Sequence, residues 1–210
     1  MYPVRQDSIV GILHGYNPWW STGRVPSEFA PPVTRTIFRR LVSRVSGEDA
    51  MKARLLVTGP RRVGKTTILY QIIDALLKRG VEPKRILYLD LDHPLLQLSE
   101  FPELVKIYLK QILGGNQSCY FFFDEIQSSR DWNKGIDVIR RRKNLPACLL
   151  VTGTFPPGLN RRGRSRPQLG GWEVMHLPTL RFREFVSIVR PGLDIETPPF
   201  TLSAPPKIGP

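Results

Sequence analysis

The octapeptide Gly59-Pro60-Arg61-Arg62-Val63-Gly64-Lys65-Thr66 sits between an apolar run and an amphipathic stretch, and nothing else in the chain restricts the fold as strongly. Arg54-Leu55-Leu56-Val57-Thr58 reads as a short buried strand. From Thr66 to Lys78, the residues Ile68, Leu69, Ile72, Ile73, Leu76 and Leu77 share one helical face, and Gly80 ends the pattern. A loop that leads from a strand into a helix start presents unpaired backbone N–H groups where the helix dipole is positive, which suits phosphate. Gly59 and Gly64 let the backbone approach closely. Lys65 is placed to reach β- and γ-phosphates, the Thr66 hydroxyl to ligate Mg²⁺, and Thr67 to hydrogen-bond the α-phosphate. The expected nucleotide-binding set is Gly59, Pro60, Arg61, Arg62, Val63, Gly64, Lys65, Thr66 and Thr67, with ATP and Mg²⁺ as ligands.

The alternation continues downstream. Ile86 to Leu91 reads as a second strand, Pro102 to Leu113 as a helix closed by Gly114-Gly115, and Ser118 to Phe123 as a third strand. Asp131 to Arg142 reads as a helix capped by Asp131, Ala147 to Val151 as a fourth strand, Glu173 to Leu177 as a fifth, and Phe182 to Val189 as a last helix. Near-continuous apolar strands separated by helices imply a parallel sheet covered on both faces, an α/β three-layer fold. Residues 1–50 show helical spacing only from Thr36 to Val45 and are expected to form an irregular extension packed on the core. Residues 51–190 then form the main domain. Residues 191–210, with six of the 20 prolines, read as a tail or the start of a linker.

The third strand ends in two carboxylates, Asp124 and Glu125, whose side chains alternation sends in different directions. Asp124, nearest the buried strand, is the expected partner of Mg²⁺, and Glu125 the general base that orients or deprotonates the attacking water. The fourth strand leads into Thr152-Gly153-Thr154, where Thr152 is the candidate to sense the γ-phosphate or hold that water. The catalytic set is therefore Glu125, Lys65 and Thr152, and the metal set Thr66 and Asp124.

A formal charge of +13 attracts polyanions, so nucleic acid is a candidate partner. The cluster Arg161-Arg162-Gly163-Arg164-Ser165-Arg166 has three readings: nucleic-acid contact, an arginine finger for a neighbouring subunit in a homo-oligomer, or a solvated loop. Cys119 and Cys148 both lie in apolar strand segments and read as reduced core residues. No apolar run approaches the ~18 residues of a membrane span, and the N-terminus lacks a leader pattern, so a cytoplasmic protein is expected.

Several segments together resemble the AAA-type ATPases of bacteria and archaea. They are Asn17-Pro18-Trp19-Trp20, the Gly59 to Thr67 loop, Asp124-Glu125-Ile126-Gln127 followed by Trp132, Leu150 to Thr154, and Leu177-Pro178-Thr179-Leu180-Arg181-Phe182-Arg183-Glu184-Phe185. The resemblance spans residues 17 to 185. It implies a P-loop NTPase with a mainly parallel five-stranded sheet in the order 5-1-4-3-2, ATP at the carboxyl ends of the strands, and Mg²⁺-dependent hydrolysis coupled to a partner. Gly170-Gly171-Trp172 stands where the group usually has a Gly-Arg pair. The alternative is an ATP-loaded switch or DNA-binding module that does not hydrolyse. Trp19 and Trp20 read either as packing near adenine or as a hydrophobic latch over the sheet.

Overall fold

The computed structural model describes residues 6–190 apart from 98, 116, 131, 143, 144 and 155–170. The basic cluster from Arg161 to Arg166, the Asp131 cap and residues 191–210 lie outside the described residues. The chain divides into two compact units between Thr179 and Leu180.

The first unit is built on a five-stranded parallel sheet of β1 (Arg54–Thr58), β2 (Ile86–Asp90), β3 (Cys119–Asp124), β4 (Ala147–Gly153) and β5 (Glu173–His176), in the order β2-β3-β4-β1-β5. This is the expected 5-1-4-3-2 order, viewed from the other edge. The central strands are buried along almost their whole length, as continuous apolar runs require when both faces are covered. Cys119 and Cys148 are free thiols in this core, and burial pushes each up to about 12.

The helices before β2 are α1 (Gln6–Tyr16), α2 (Trp19–Thr22), α3 (Ile37–Ser46) and α4 (Lys65–Lys78). After β2 come α5 (Pro94–Gln97), α6 (Phe101–Ile107) and α7 (Trp132–Arg141), with α6 continuing through a π-helical turn at Tyr108–Ile112. Gly135 is required where α7 meets α6: a Cβ there would lie 2.1 Å from the Phe101 ring.

The N-terminal segment carries more helix than its periodicity suggests. In α1 Gly11 interrupts the apolar residues Ile9, Val10, Ile12 and Leu13 and Gly15 follows them, which weakens both the helical signal and the intrinsic propensity. Burial of Ile9 and Leu13 in the main core stabilises the helix instead. Trp19 and Trp20 are buried as a latch: both indole N–H groups donate to the Ile86 carbonyl of β2, at 3.2 and 2.8 Å.

The second unit contains α8 (Phe182–Val189). Its N-terminus is closed by Glu184, whose carboxylate accepts the Arg181 backbone N–H at 3.2 Å. No described helix is long and apolar enough to cross a membrane.

Candidate functional site

The loop between β1 and α4 is shaped by its two glycines for different reasons. Gly64 has φ +96°, a left-handed conformation that favours glycine. Gly59 is needed for space, because a Cβ there would lie 2.3 Å from the Leu177 carbonyl oxygen as the chain leaves β5. Arg62, between them, also has positive φ, at 61°. The first-turn N–H groups of α4 face into this loop without acceptors one turn earlier in the helix, the condition for an anion cradle.

Lys65 is buried at the start of α4. Its Nζ donates to the carbonyls of Gly59 (3.2 Å) and Pro60 (3.1 Å) and pairs with Glu125 Oε1 at 3.1 Å. The lysine of the phosphate loop and the carboxylate at the end of β3 thus form one ion pair. Glu125 Oε2 accepts the Gln127 amide (2.5 Å) and the Thr154 hydroxyl (3.0 Å). Burial pushes the Glu125 carboxyl up, but the hydrogen bonds from Gln127 and Lys65, the lysine charge and Thr154 outweigh it and hold the group below the usual glutamate range. Its backbone lies in the left-handed region at φ 49°, a conformation that is uncommon for a residue with a Cβ and is concentrated at functional sites.

Asp124, almost wholly buried, collects hydroxyls. Thr66 donates to Oδ2 at 2.5 Å and Tyr88 to the same oxygen at 3.3 Å, while the Thr152 hydroxyl and the Glu125 backbone N–H (3.2 Å) reach Oδ1. Burial raises its pKa above the ordinary range against the opposing hydrogen bonds of Thr152 and Thr66. Thr66 and Asp124 present adjacent hard oxygens, the donor chemistry that Mg²⁺ takes alongside phosphate and water. Among the described residues no group of three or more His, Cys, Asp or Glu offers an all-protein metal cage. The Thr66 and Asp124 oxygens are of the kind that fits Mg²⁺.

The nine loop residues, Asp124, Glu125 and Thr152 all gather at the carboxyl ends of β1, β3 and β4. Thr152 makes its contacts with the acidic pair. It is fully buried, with its hydroxyl committed to Asp124 and accepting the Glu125 N–H at 3.0 Å. The residue that reaches the Glu125 carboxylate is Thr154, just past the end of β4.

Two buried polar residues had no sequence signal. Arg35 donates to the Val63 carbonyl of the loop and to the Pro178 carbonyl, both at 2.8 Å, tying the loop to the exit of β5. Gln71 donates to the carbonyls of Pro31 (2.6 Å) and Val33 (2.9 Å) and fixes the approach to α3 beside α4. A lone arginine in a proline-rich segment and a glutamine on a mostly apolar helix carry no spacing that identifies their targets.

Residues 52–186 match the family model described as an AAA domain. Two curated relatives are similar: an uncharacterised protein of Haemophilus influenzae, 27% identical over 133 residues, and one of Methanocaldococcus jannaschii, 30% identical over 149 residues. These alignments cover 62% and 68% of this chain but 32% and 29% of the relatives, so the chain spans about a third of their length. Among solved structures, the Aeropyrum pernix ORC2 protein, described as ADPNP-ADP complexes, aligns with a TM-score of 0.52 and 16% identity over 76% of this chain and 52% of that one. Drosophila ORC bound to DNA aligns with a TM-score of 0.53 and 12% identity over 90% and 52%. At these identities the structural likeness shows the fold. The family match covers more than half of the chain and coincides with the strands that carry the loop and the acidic pair: this chain belongs to the AAA-domain family of P-loop ATPases.

Proposed function

We propose that the chain binds Mg²⁺-ATP and hydrolyses it. The observation that supports this best is the convergence of the loop with the end of β3, where Thr66 bonds Asp124 at 2.5 Å and Lys65 pairs with Glu125 at 3.1 Å. In this reading residues 59–67 hold the phosphates, Lys65 offsets charge on the γ-phosphate, and Glu125 accepts a proton from the attacking water or orients it. Thr66 and Asp124 would hold Mg²⁺, which would supply positive charge to offset that of the phosphates. Thr152 positions Asp124 and the Glu125 backbone, and Thr154 orients the Glu125 carboxylate.

The same ion pair favours a second reading, an ATP-loaded switch that turns over negligibly. While Glu125 faces Lys65, its carboxylate is committed, and hydrolysis requires nucleotide or a partner to separate the two. Phosphate release from ATP distinguishes the readings. Hydrolysis predicts steady Mg²⁺-dependent release that falls at least ~100-fold in Glu125→Gln while nucleotide still binds. Tight binding without release supports the switch.

The +13 charge supports a polyanionic partner, and the similarity to a DNA-bound complex makes DNA the first to test. Stimulation of turnover by DNA that fades steeply with added salt would identify that partner. A flat salt response would remove it.

A further inference from the structure

Asp124 is held from one direction that the phosphate loop does not reach. Tyr88 lies on β2, two strands from β4 across β3, and is buried among apolar neighbours where phenylalanine would fill the same space. Its hydroxyl nevertheless donates to Asp124 Oδ2 at 3.3 Å, the oxygen that also accepts Thr66. The phenol is itself fixed. Its ring packs against Tyr70 with centroids 4.7 Å apart, and Trp19 meets it edge-on at 6.5 Å.

The backbone of Tyr88 is fixed as well. β2 is an edge strand, and Tyr88 turns its N–H and C=O to the free side. There the Asn17 side chain takes both, with Oδ1 accepting the N–H at 2.6 Å and Nδ2 donating to the carbonyl at 3.0 Å, as a neighbouring strand would. Asn17 is fully buried, and its Nδ2 also donates to the Leu13 carbonyl at 2.8 Å. A continuous set of contacts therefore runs from α1 through Asn17 and Tyr88 to Asp124.

We propose that Tyr88 is a positioning residue for the metal-holding carboxylate: its hydroxyl keeps Asp124 Oδ2 turned toward Thr66, and Asn17 holds Tyr88 in the register that permits this. The inference rests on the reading of Asp124 and Thr66 as the Mg²⁺ site. A carboxylate aimed in advance binds a metal more tightly than one that must reorient, and loss of such a support typically weakens metal affinity by about 10-fold or more.

The test is nucleotide binding by the whole chain, measured with a fluorescent ATP analogue across a Mg²⁺ titration and in EDTA. Tyr88→Phe, Asp124→Asn, the double variant and Tyr70→Phe are compared, with thermal melts to check folding. Tyr88→Phe is expected to raise the Mg²⁺ concentration required by about 10-fold, to leave binding in EDTA unchanged, and to add nothing in the Asp124→Asn background. Tyr70→Phe deletes a neighbouring hydroxyl whose ring packs on Tyr88, and its Mg²⁺ requirement is expected to move less. An unchanged requirement in folded Tyr88→Phe overturns the proposal. So does an equal shift in both tyrosine variants, which would mark a general loss of packing. If Asp124→Asn itself leaves the Mg²⁺ requirement unchanged, the metal reading of Asp124 fails and the Tyr88 inference falls with it. That outcome is distinct from a Tyr88 variant that alone shows no effect.

Discussion

The two edges of the sheet are closed by different physical means. At β2 the outward backbone groups of Ile86 and Tyr88 are taken by Asn17, Trp19 and Trp20, all buried. At β5 the outward strand is short and partly exposed, with Val174 at 49%, and its closest ties beyond the sheet are the ion pairs of Glu173 with Arg40 (2.7 Å) and Arg44 (2.8 Å) on α3. Both arrangements tie an edge strand to the rest of the unit. The first does so with groups that water cannot replace, the second with charges that water and salt readily screen. The β2 edge is also the one connected to Asp124 through Tyr88.

Trp19→Ala should have the largest effect on that contrast. Removing a fully buried indole leaves a cavity between β2, Tyr70 and Tyr88 and is expected to destabilise the fold by about 4 kcal/mol, read as a shift in the denaturant midpoint. A loss under about 1 kcal/mol would mean that the β2 edge is no more firmly held than β5. Asn17→Ala comes next. It strands a buried N–H and a buried carbonyl on Tyr88, with an expected loss of about 2 kcal/mol and faster amide exchange at Tyr88. Protection as strong as in the parent would show that Asn17 is not what closes this edge.

Glu173→Gln should have the smallest effect, below about 1 kcal/mol and smaller still in high salt, because both arginines are largely exposed. The pH dependence has a definite sign. Burial acts upward on the Glu173 carboxyl, but the hydrogen bonds and charges of Arg40 and Arg44 outweigh it and hold its folded pKa below the usual glutamate range. Its contribution is therefore present above the unfolded pKa and fades as pH falls through the lower folded value. Melting curves of parent and variant should converge in acid. A gap that widens there would contradict the ion-pair account of this edge.

Much of the site was legible in the sequence because phosphate chemistry imposes local spacing. Gly64, Lys65 and Thr66 are adjacent, and the roles proposed for them follow from the geometry of a helix start. Asp124 and Glu125 were legible because a strand of aromatic residues ends on them. Thr152 shows where such reasoning stops: a threonine at a strand end gives no sign that its hydroxyl will bond the carboxylate on the next strand. Gly59 is similar. Its place in the loop was evident, but the carbonyl of Leu177 that excludes a side chain comes from a segment more than a hundred residues away.

The sequence by itself determined the α/β alternation, the phosphate loop and the acidic pair, because each depends on residues within one strand–loop–helix unit. Only the tertiary structure decided the partners of Asn17, Arg35, Gln71 and Tyr88. These are single polar residues whose partners are backbone groups or carboxylates distant in the chain. A backbone carbonyl is the same at every residue, so no pattern of side chains announces which one a buried donor will meet.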